Sequence, residues 1–182
     1  CKVGNLISIS GDRGEDAGFV GKCIPELVPK KDFFRRYKDN KGKIPDEVND
    51  RYYIEQYYTR VLSQVDIEEL LKGEVDPILL CYEKGQDFCH RHVVAEYIEI
   101  KYGVKVRDIL VDEDLNVEEN TRPPHIRQIL TEIMEYYQNQ TQEDILKYVY
   151  GSDNAIEIGD HAFENSSIIS IDVPIKKIGK YA

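Results

Sequence analysis

The chain has 182 residues, 41% hydrophobic and 32% charged, the balance of a globular protein with enough apolar material for a real core, and no run approaches the roughly 18 apolar residues needed to cross a bilayer. Its net charge of −10 weighs against nucleic acid as a main partner, because phosphate backbones are bound by Lys and Arg. The charge is uneven: residues 1–60 carry 12 basic and 10 acidic side chains, and the remainder is strongly acidic.

The first residue is Cys1 rather than Met, which points to a trimmed chain. A lipid anchor on that cysteine is disfavoured, since a strand pattern starting at Leu6 leaves almost no tether. Leu6 to Ser10 is short and branched and is followed by Gly11, Asp12 and Gly14, which predicts a buried strand ending in a turn. After a loop to Pro29, Lys30 to Lys38 is expected to be a basic helix. The stretch Lys30 to Lys43 holds seven cations and two anions with Phe33, Phe34 and Tyr37 interleaved. That mixture suits single-stranded nucleic acid, but an amphipathic helix with its aromatic side in the core explains it better.

From Asp46 to Lys72, Ile54, Tyr58, Val61, Leu62 and Val65 recur at spacings of three and four, forming one helical stripe. Tyr52, Tyr53, Tyr57 and Tyr58 are read as packing residues, with Tyr53 and Tyr57 candidates to line a cleft. Asp66, with Glu69 three residues on, is placed to cap a second short helix. Ile78 to Tyr82, opened by Pro77, reads as a strand covered on both faces. A polar loop, Glu83 to Asp87, leads to a helix from Arg91 to Tyr102 on which Val94, Tyr97 and Ile98 share a face, and Gly103 stops it. Val104 to Leu110 then reads as a returning strand.

This order predicts an α/β fold: a mainly parallel sheet with a right-handed crossover, flanked by helices in three layers. Ligands of such sheets bind beyond the carboxyl ends of the strands, here Ser10 to Arg13 and Tyr82 to Arg91. Residues 1–110 are assigned to this core and 111–150 to an acidic connector and helical extension. Val111 to Asn120 has five carboxylates and no basic residue, the composition of a solvated connector. Asp112, Asp114, Asn116 and Glu118 alternate as in a calcium loop, but Val117 and Pro123 stand where that loop needs Gly and Glu. Ile126, Ile129, Leu130, Ile133 and Tyr137 predict a helix after Pro124, and Thr141 with Asp144 predicts a further short one.

Within residues 151–182, Ile158-Gly159-Asp160-His161-Ala162 recurs as Ile178-Gly179-Lys180-Tyr181-Ala182, twenty residues later. Self-similarity at a fixed period is a solenoid signature. Together with Phe163, Ile168, Ile171, Val173 and Pro174, the stretch resembles the BspA-type leucine-rich repeat. About three repeats are needed to bury a solenoid's apolar face, so one repeat and part of another implies a continuation or packing against neighbouring helices.

Three blocks carry a second resemblance: Leu6 to Ser10, Leu27-Val28-Pro29 leading into the basic helix, and Leu79-Leu80-Cys81-Tyr82-Glu83-Lys84 followed by Cys89-His90-Arg91. Residues 1 to about 110 resemble the domain of unknown function 488 family, in which a strand ending in Leu-Cys-x-Glu is followed by Cys-His-Arg at a helix start. The resemblance implies an α/β fold and points to this loop as the working site; it transfers no reaction.

Bottom-up, the loop has features of an anion site. A helix starting near His90 aims its unbonded N–H groups and positive dipole end at the strand edge, and Arg91 adds a forked cation. The candidate ligand-binding residues are therefore Ser10, Arg13, Cys81, Glu83, His90 and Arg91. Cys89 is the candidate catalytic nucleophile, because a helix N-terminus favours a thiolate. Rhodaneses and cysteine phosphatases place five residues between Cys and Arg, whereas nine separate Cys81 from Arg91 and one separates Cys89 from it, so that analogy is weak. The competing readings are an inert buried Cys81, a His90 that bonds the backbone, and an Arg91 paired with Glu83. Cys81, Cys89, His90 and His92 also invite a zinc reading, but adjacent Cys89 and His90 are expected to diverge, so no metal is assigned.

The four cysteines (Cys1, Cys23, Cys81, Cys89) form no disulfide framework and are read as thiols of a cytoplasmic protein. The function expected is binding, with or without turnover, of a small anionic or nucleotide-like ligand at the Cys81 to Arg91 loop; no cofactor is assigned. The rival expectation is a non-catalytic module that recruits a protein partner through the C-terminal repeat.

Overall fold

The branched run Asn5–Ser8 (β1) forms the middle strand of a parallel sheet, flanked by Lys22–Cys23 (β2) and Pro77–Leu80 (β3). The computed structural model describes residues 5–83, 87–111, 116–150, 156–158 and 175–178. Two units are distinguished, Cys1–Met134 and Glu135–Ala182. Among the described residues, no helix is long and apolar enough to cross a membrane.

The register pairs Ser8 with both Cys23 and Leu80, so all three strands end at one edge. Backbone bonds from Ile9 N–H to Leu80 O (3.1 Å) and from Ile24 N–H to Ser8 O (3.0 Å) carry the pairing one step further. That edge is therefore built from Ile9 to Asp12, Ile24, and the chain leaving Leu80. The connection from β2 to β3 runs through helices Lys31–Asn40 (α1), Asp46–Arg60 (α2) and Ile67–Leu70 (α3). Asp66 caps α3 as expected, accepting from the N–H groups of Glu68 and Glu69.

In α1, Phe33 and Tyr37 are buried and Phe34 lies at the surface, the amphipathic arrangement expected of the basic stretch. The buried face of α2 is rotated from the expected stripe. Ile54, Val61 and Leu62 are buried as predicted, but within the helix Tyr53 and Tyr57 take the central places, and Tyr58 and Val65 are only half-buried. The reason is aromatic packing: Tyr53 meets Phe33, Tyr37 and Phe88 with ring centroids 5.3, 4.9 and 5.2 Å apart, pairs each worth roughly 0.5–1.5 kcal/mol beyond area burial. The same face buries Asn49, which donates to Tyr37 O (2.9 Å), and Asp50, which accepts from Tyr37 Oη (3.0 Å) and faces His125 Nε2 (2.9 Å).

Helix His90–Tyr102 (α4) follows β3, and Gly103 ends it with φ 68°, a left-handed conformation that L side chains resist. The chain does not then return to the parallel sheet. Asp108–Val111 (β4) pairs antiparallel with Val117–Asn120 (β5) as a separate two-stranded ribbon. Both the returning strand of the expected crossover and part of the expected solvated connector are thus corrected. A strand inside a parallel sheet is covered on both faces, whereas Leu110 and Val111 are exposed, and a ribbon can leave one face in water. Residues 112–115, which carry Asp112 and Asp114 of the calcium-like pattern, lie outside the described residues.

Helix Pro124–Tyr150 (α5) buries Ile126, Ile129, Leu130 and Ile133 as predicted. The separate helix expected near Thr141 is absent: Thr141 sits inside α5, its hydroxyl donating to Tyr137 O four residues back (2.9 Å). In the second unit Ile156–Ile158 (β6) pairs parallel with Ile175–Ile178 (β7). The other residues of the repeat lie outside the described residues.

Candidate functional site

Cys81 is the first residue beyond β3, held beside Ile9 by the backbone bond at Leu80. Cys89 is the extended residue preceding α4 (φ −145°, ψ 146°), its carbonyl accepting from His92 N–H (3.0 Å). His90 opens the helix. This local geometry turns the side chains of Cys89 and His90 toward the same place, contrary to the divergence expected of adjacent residues.

Four side chains converge there. Cys81 Sγ and Cys89 Sγ lie 3.1 and 3.2 Å from the same Glu83 oxygen, Oε2. His90 Nδ1 is 3.5 Å from Cys81 Sγ and 3.9 Å from Cys89 Sγ. The donor atoms of all four residues fall within 4.8 Å of one another. His90 Nε2 is 2.9 Å from the Ile9 carbonyl. A carbonyl oxygen only accepts, so Nε2 donates to it and Nδ1 is the nitrogen turned toward the sulfurs. Cys89 and His90 are buried; Cys81 and Glu83 are half-buried.

The electrostatics of the cluster are uneven. The hydrogen bond between the two cysteines draws the Cys89 thiol well below its ordinary value, with burial opposing and His90 assisting, and pushes the Cys81 thiol far up. Burial acts to raise the Glu83 carboxyl, but the hydrogen bonds from Cys81 and Cys89 outweigh it and hold the group below its usual range. Lys38 Nζ stands 3.7 Å from Glu83 Oε1. Behind the cluster, the Tyr57 ring meets His90 edge-on at 5.7 Å, and the Tyr57 hydroxyl donates to the Leu27 carbonyl. Tyr57 is thus a wall of the site.

The remaining expected residues are placed apart from the cluster. Arg91 is committed to structure: Nε bonds Asp108 Oδ1 (3.2 Å) and Nη1 bonds the backbone carbonyl of Glu83 (2.6 Å). Its carboxylate partner is Asp108, not Glu83. Asp108 also accepts from His92 Nε2 (3.1 Å) and Asn120 Nδ2 (2.6 Å), so it fastens the start of α4 to the β4–β5 ribbon. His92 accordingly lies outside the cluster. Buried Ser10 shares a hydrogen bond with Ser8 Oγ (2.8 Å) and donates to Asp12 Oδ1 (3.0 Å). Asp12 in turn accepts from Tyr82 Oη and from Gly14 N–H (3.0 Å), and its carboxyl is held far below the usual range, chiefly by the tyrosine hydroxyl. Arg13 is exposed, with φ 65°, in the turn that follows β1. Sequence reasoning missed Asp108, Asp12 and Lys38. Asp12 alone had a signal, its place in the glycine-bounded turn. The cysteines of the described residues, Cys23, Cys81 and Cys89, are free thiols; Cys1 lies outside them.

The DUF488-N3a family, described as the active DUF488-N3 subclade, matches residues 8–101, just over half of the chain. The chain belongs to the DUF488 family. The matched span of this DUF488 domain takes in the last residue of β1, strands β2 and β3, helices α1 to α3, α4 as far as Lys101, and all four residues of the cluster. No curated protein and no solved structure matches the chain.

Proposed function

We propose that this DUF488 domain binds a small anionic or nucleotide-like ligand at the carboxyl edge of its sheet, where Cys81, Glu83, Cys89 and His90 meet. The observation that carries the reading is that convergence: four chemically versatile side chains gathered at the strand edge where α/β sheets hold ligands. The N-terminus of α4 adds a positive dipole end. Lys38, about half exposed, supplies a cation that an arriving anion can take from Glu83. Arg91 contributes by holding the Glu83 backbone in place.

Isothermal titration with inorganic phosphate and adenosine monophosphate tests the reading. Binding is expected, and Lys38→Ala should weaken it by about 1 kcal/mol, roughly fivefold, the lower range for a charged contact because this lysine is partly solvated. Lys41→Ala should leave it unchanged. Absence of heat with either ligand, or identical affinity in the Lys38 variant, rules out an anion site at this place.

A second reading concerns residues 151–182, a repeat segment that recruits a protein partner. It is supported by the pairing of β6 with β7, in which Ile158 faces Ile178, the two residues that open the internal echo. Stacking of equivalent positions from successive repeats is how solenoids bury their apolar face. If the segment is a separate module, a chain ending at Tyr150 keeps its affinity for phosphate; loss of that affinity counts against a separate role.

A further inference from the structure

We propose that Cys81, Glu83, Cys89 and His90 bind one zinc ion. Two sulfurs, one imidazole nitrogen and one carboxylate oxygen form a donor set that suits zinc and does not suit calcium or magnesium, which take oxygen ligands. The spacing fits as well. With Zn–S near 2.3 Å and Zn–N or Zn–O near 2.0–2.2 Å, the edges of a tetrahedron are about 3.5–3.8 Å. The observed separations of 3.1, 3.2, 3.5 and 3.9 Å scatter around those edges, so closing on an ion requires only small side-chain shifts.

The surroundings are those of a prepared metal site. A histidine that binds metal through one nitrogen characteristically donates its other N–H to a carbonyl or carboxylate, and His90 gives Nε2–H to Ile9 O while Nδ1 faces the sulfurs. Glu83 is steadied on two sides, by Arg91 on its backbone carbonyl and by Lys38 near Oε1. Two thiols and a carboxylate packed together are a set of groups that repel one another once ionised. A divalent cation removes that conflict, and on binding it displaces the thiol protons to solvent. Half-buried Glu83 is more accessible than Cys89 and His90, and is the ligand an incoming anion can replace; this last point rests on the anion reading above. With zinc bound, Cys89 serves as a ligand and not as a nucleophile.

The test is to strip the full-length protein with a chelator under reducing conditions and titrate it with zinc against a chromophoric competitor, then with cobalt. One zinc per chain is expected, with a rise in melting temperature by mass action. The cobalt form should show thiolate charge-transfer absorption and the intense visible bands of tetrahedral cobalt. Cys81→Ser, Cys89→Ser and His90→Ala should each weaken zinc by roughly 100-fold or more, Glu83→Gln by roughly tenfold, and Cys23→Ser not at all. Where a variant fails to fold, the cobalt spectrum of the wild type decides. A spectrum without thiolate charge transfer, a substoichiometric zinc content, or a disulfide between Cys81 and Cys89 in protein kept under reductant overturns the proposal. Phosphate added to the cobalt form separates the two readings. A metal that binds but whose spectrum ignores phosphate leaves the zinc site standing without its anion, and phosphate heat in a protein that takes up no metal does the reverse.

Discussion

Replacing Asp108 by Asn keeps the shape of the side chain and removes the charge that fastens α4 to the β4–β5 ribbon. Three donors converge on its two oxygens: Arg91 Nε on Oδ1, and His92 Nε2 with Asn120 Nδ2 on Oδ2. An amide offers one acceptor oxygen and turns its NH2 toward at least one of those donors. Arg91 and His92 have side-chain exposures of 13% and 0%, so water cannot readily replace the lost partner. At 3.2 Å and an effective dielectric near 20, the lost Arg91 attraction is about 5 kcal/mol before the relief of desolvating the carboxylate is subtracted. Removing one partner of a buried pair costs about 3–5 kcal/mol, and we expect the lower half of that range. In urea, with a slope of about 1.5–2 kcal/mol/M, the midpoint should fall by roughly 2 M with the slope unchanged. Circular dichroism and tyrosine fluorescence should report the same transition. Asp108→Asn combined with Arg91→Met should cost less than the two single changes summed, because the uncompensated cation is gone. A midpoint shift below about 0.5 M, or strict additivity in the double variant, would refute the claim that this carboxylate clamps the site.

Glu99 provides a pH prediction: burial acts to raise its carboxyl, but Arg122, the Val106 N–H and Arg127 outweigh it and bring it to about 2. Because the folded value is depressed, its contribution is complete above the unfolded value of roughly 4.3 and is lost as pH falls toward 2, so Glu99→Gln should flatten stability across that window by on the order of 1–3 kcal/mol in acid denaturation followed by circular dichroism. Tyr57→Phe leaves the ring in place but deprives the Leu27 carbonyl of its donor, and should lower stability by about 1–3 kcal/mol in chemical unfolding. Gly103→Ala, at φ 68° with nothing within 4 Å of the new methyl, should cost about 1 kcal/mol through backbone strain alone, seen as a lower melting temperature. Thiol titration of the denatured, non-reduced chain should find all four cysteines reactive; fewer than four argues against the reducing compartment inferred from their spacing.

Chain-local signals were legible in the sequence because their physics acts over a few residues. Asp66 reaches N–H groups two and three positions on, Gly103 supplies a left-handed stop that side chains avoid, and Ile78 to Leu80 is too apolar and too short for anything but a strand, although at the edge of the described sheet it is half-buried and not covered on both faces as expected. Those signals were enough to bring the Cys81 to Arg91 loop to the edge of a parallel sheet, and the family resemblance agreed. They did not extend to which side chains meet. The partner of His90 is a carbonyl 81 residues away, and the carboxylate that holds Arg91 comes from a ribbon strand that periodicity assigned to the sheet. The convergence of Cys89 and His90 depends on one residue being extended and the next helical, a change of backbone direction that spacing alone does not reveal. Only the packing of α4 against Ile9 and Asp108 turns four polar residues of one loop into a single site, because the hydrogen bonds that aim them are made to atoms distant in sequence.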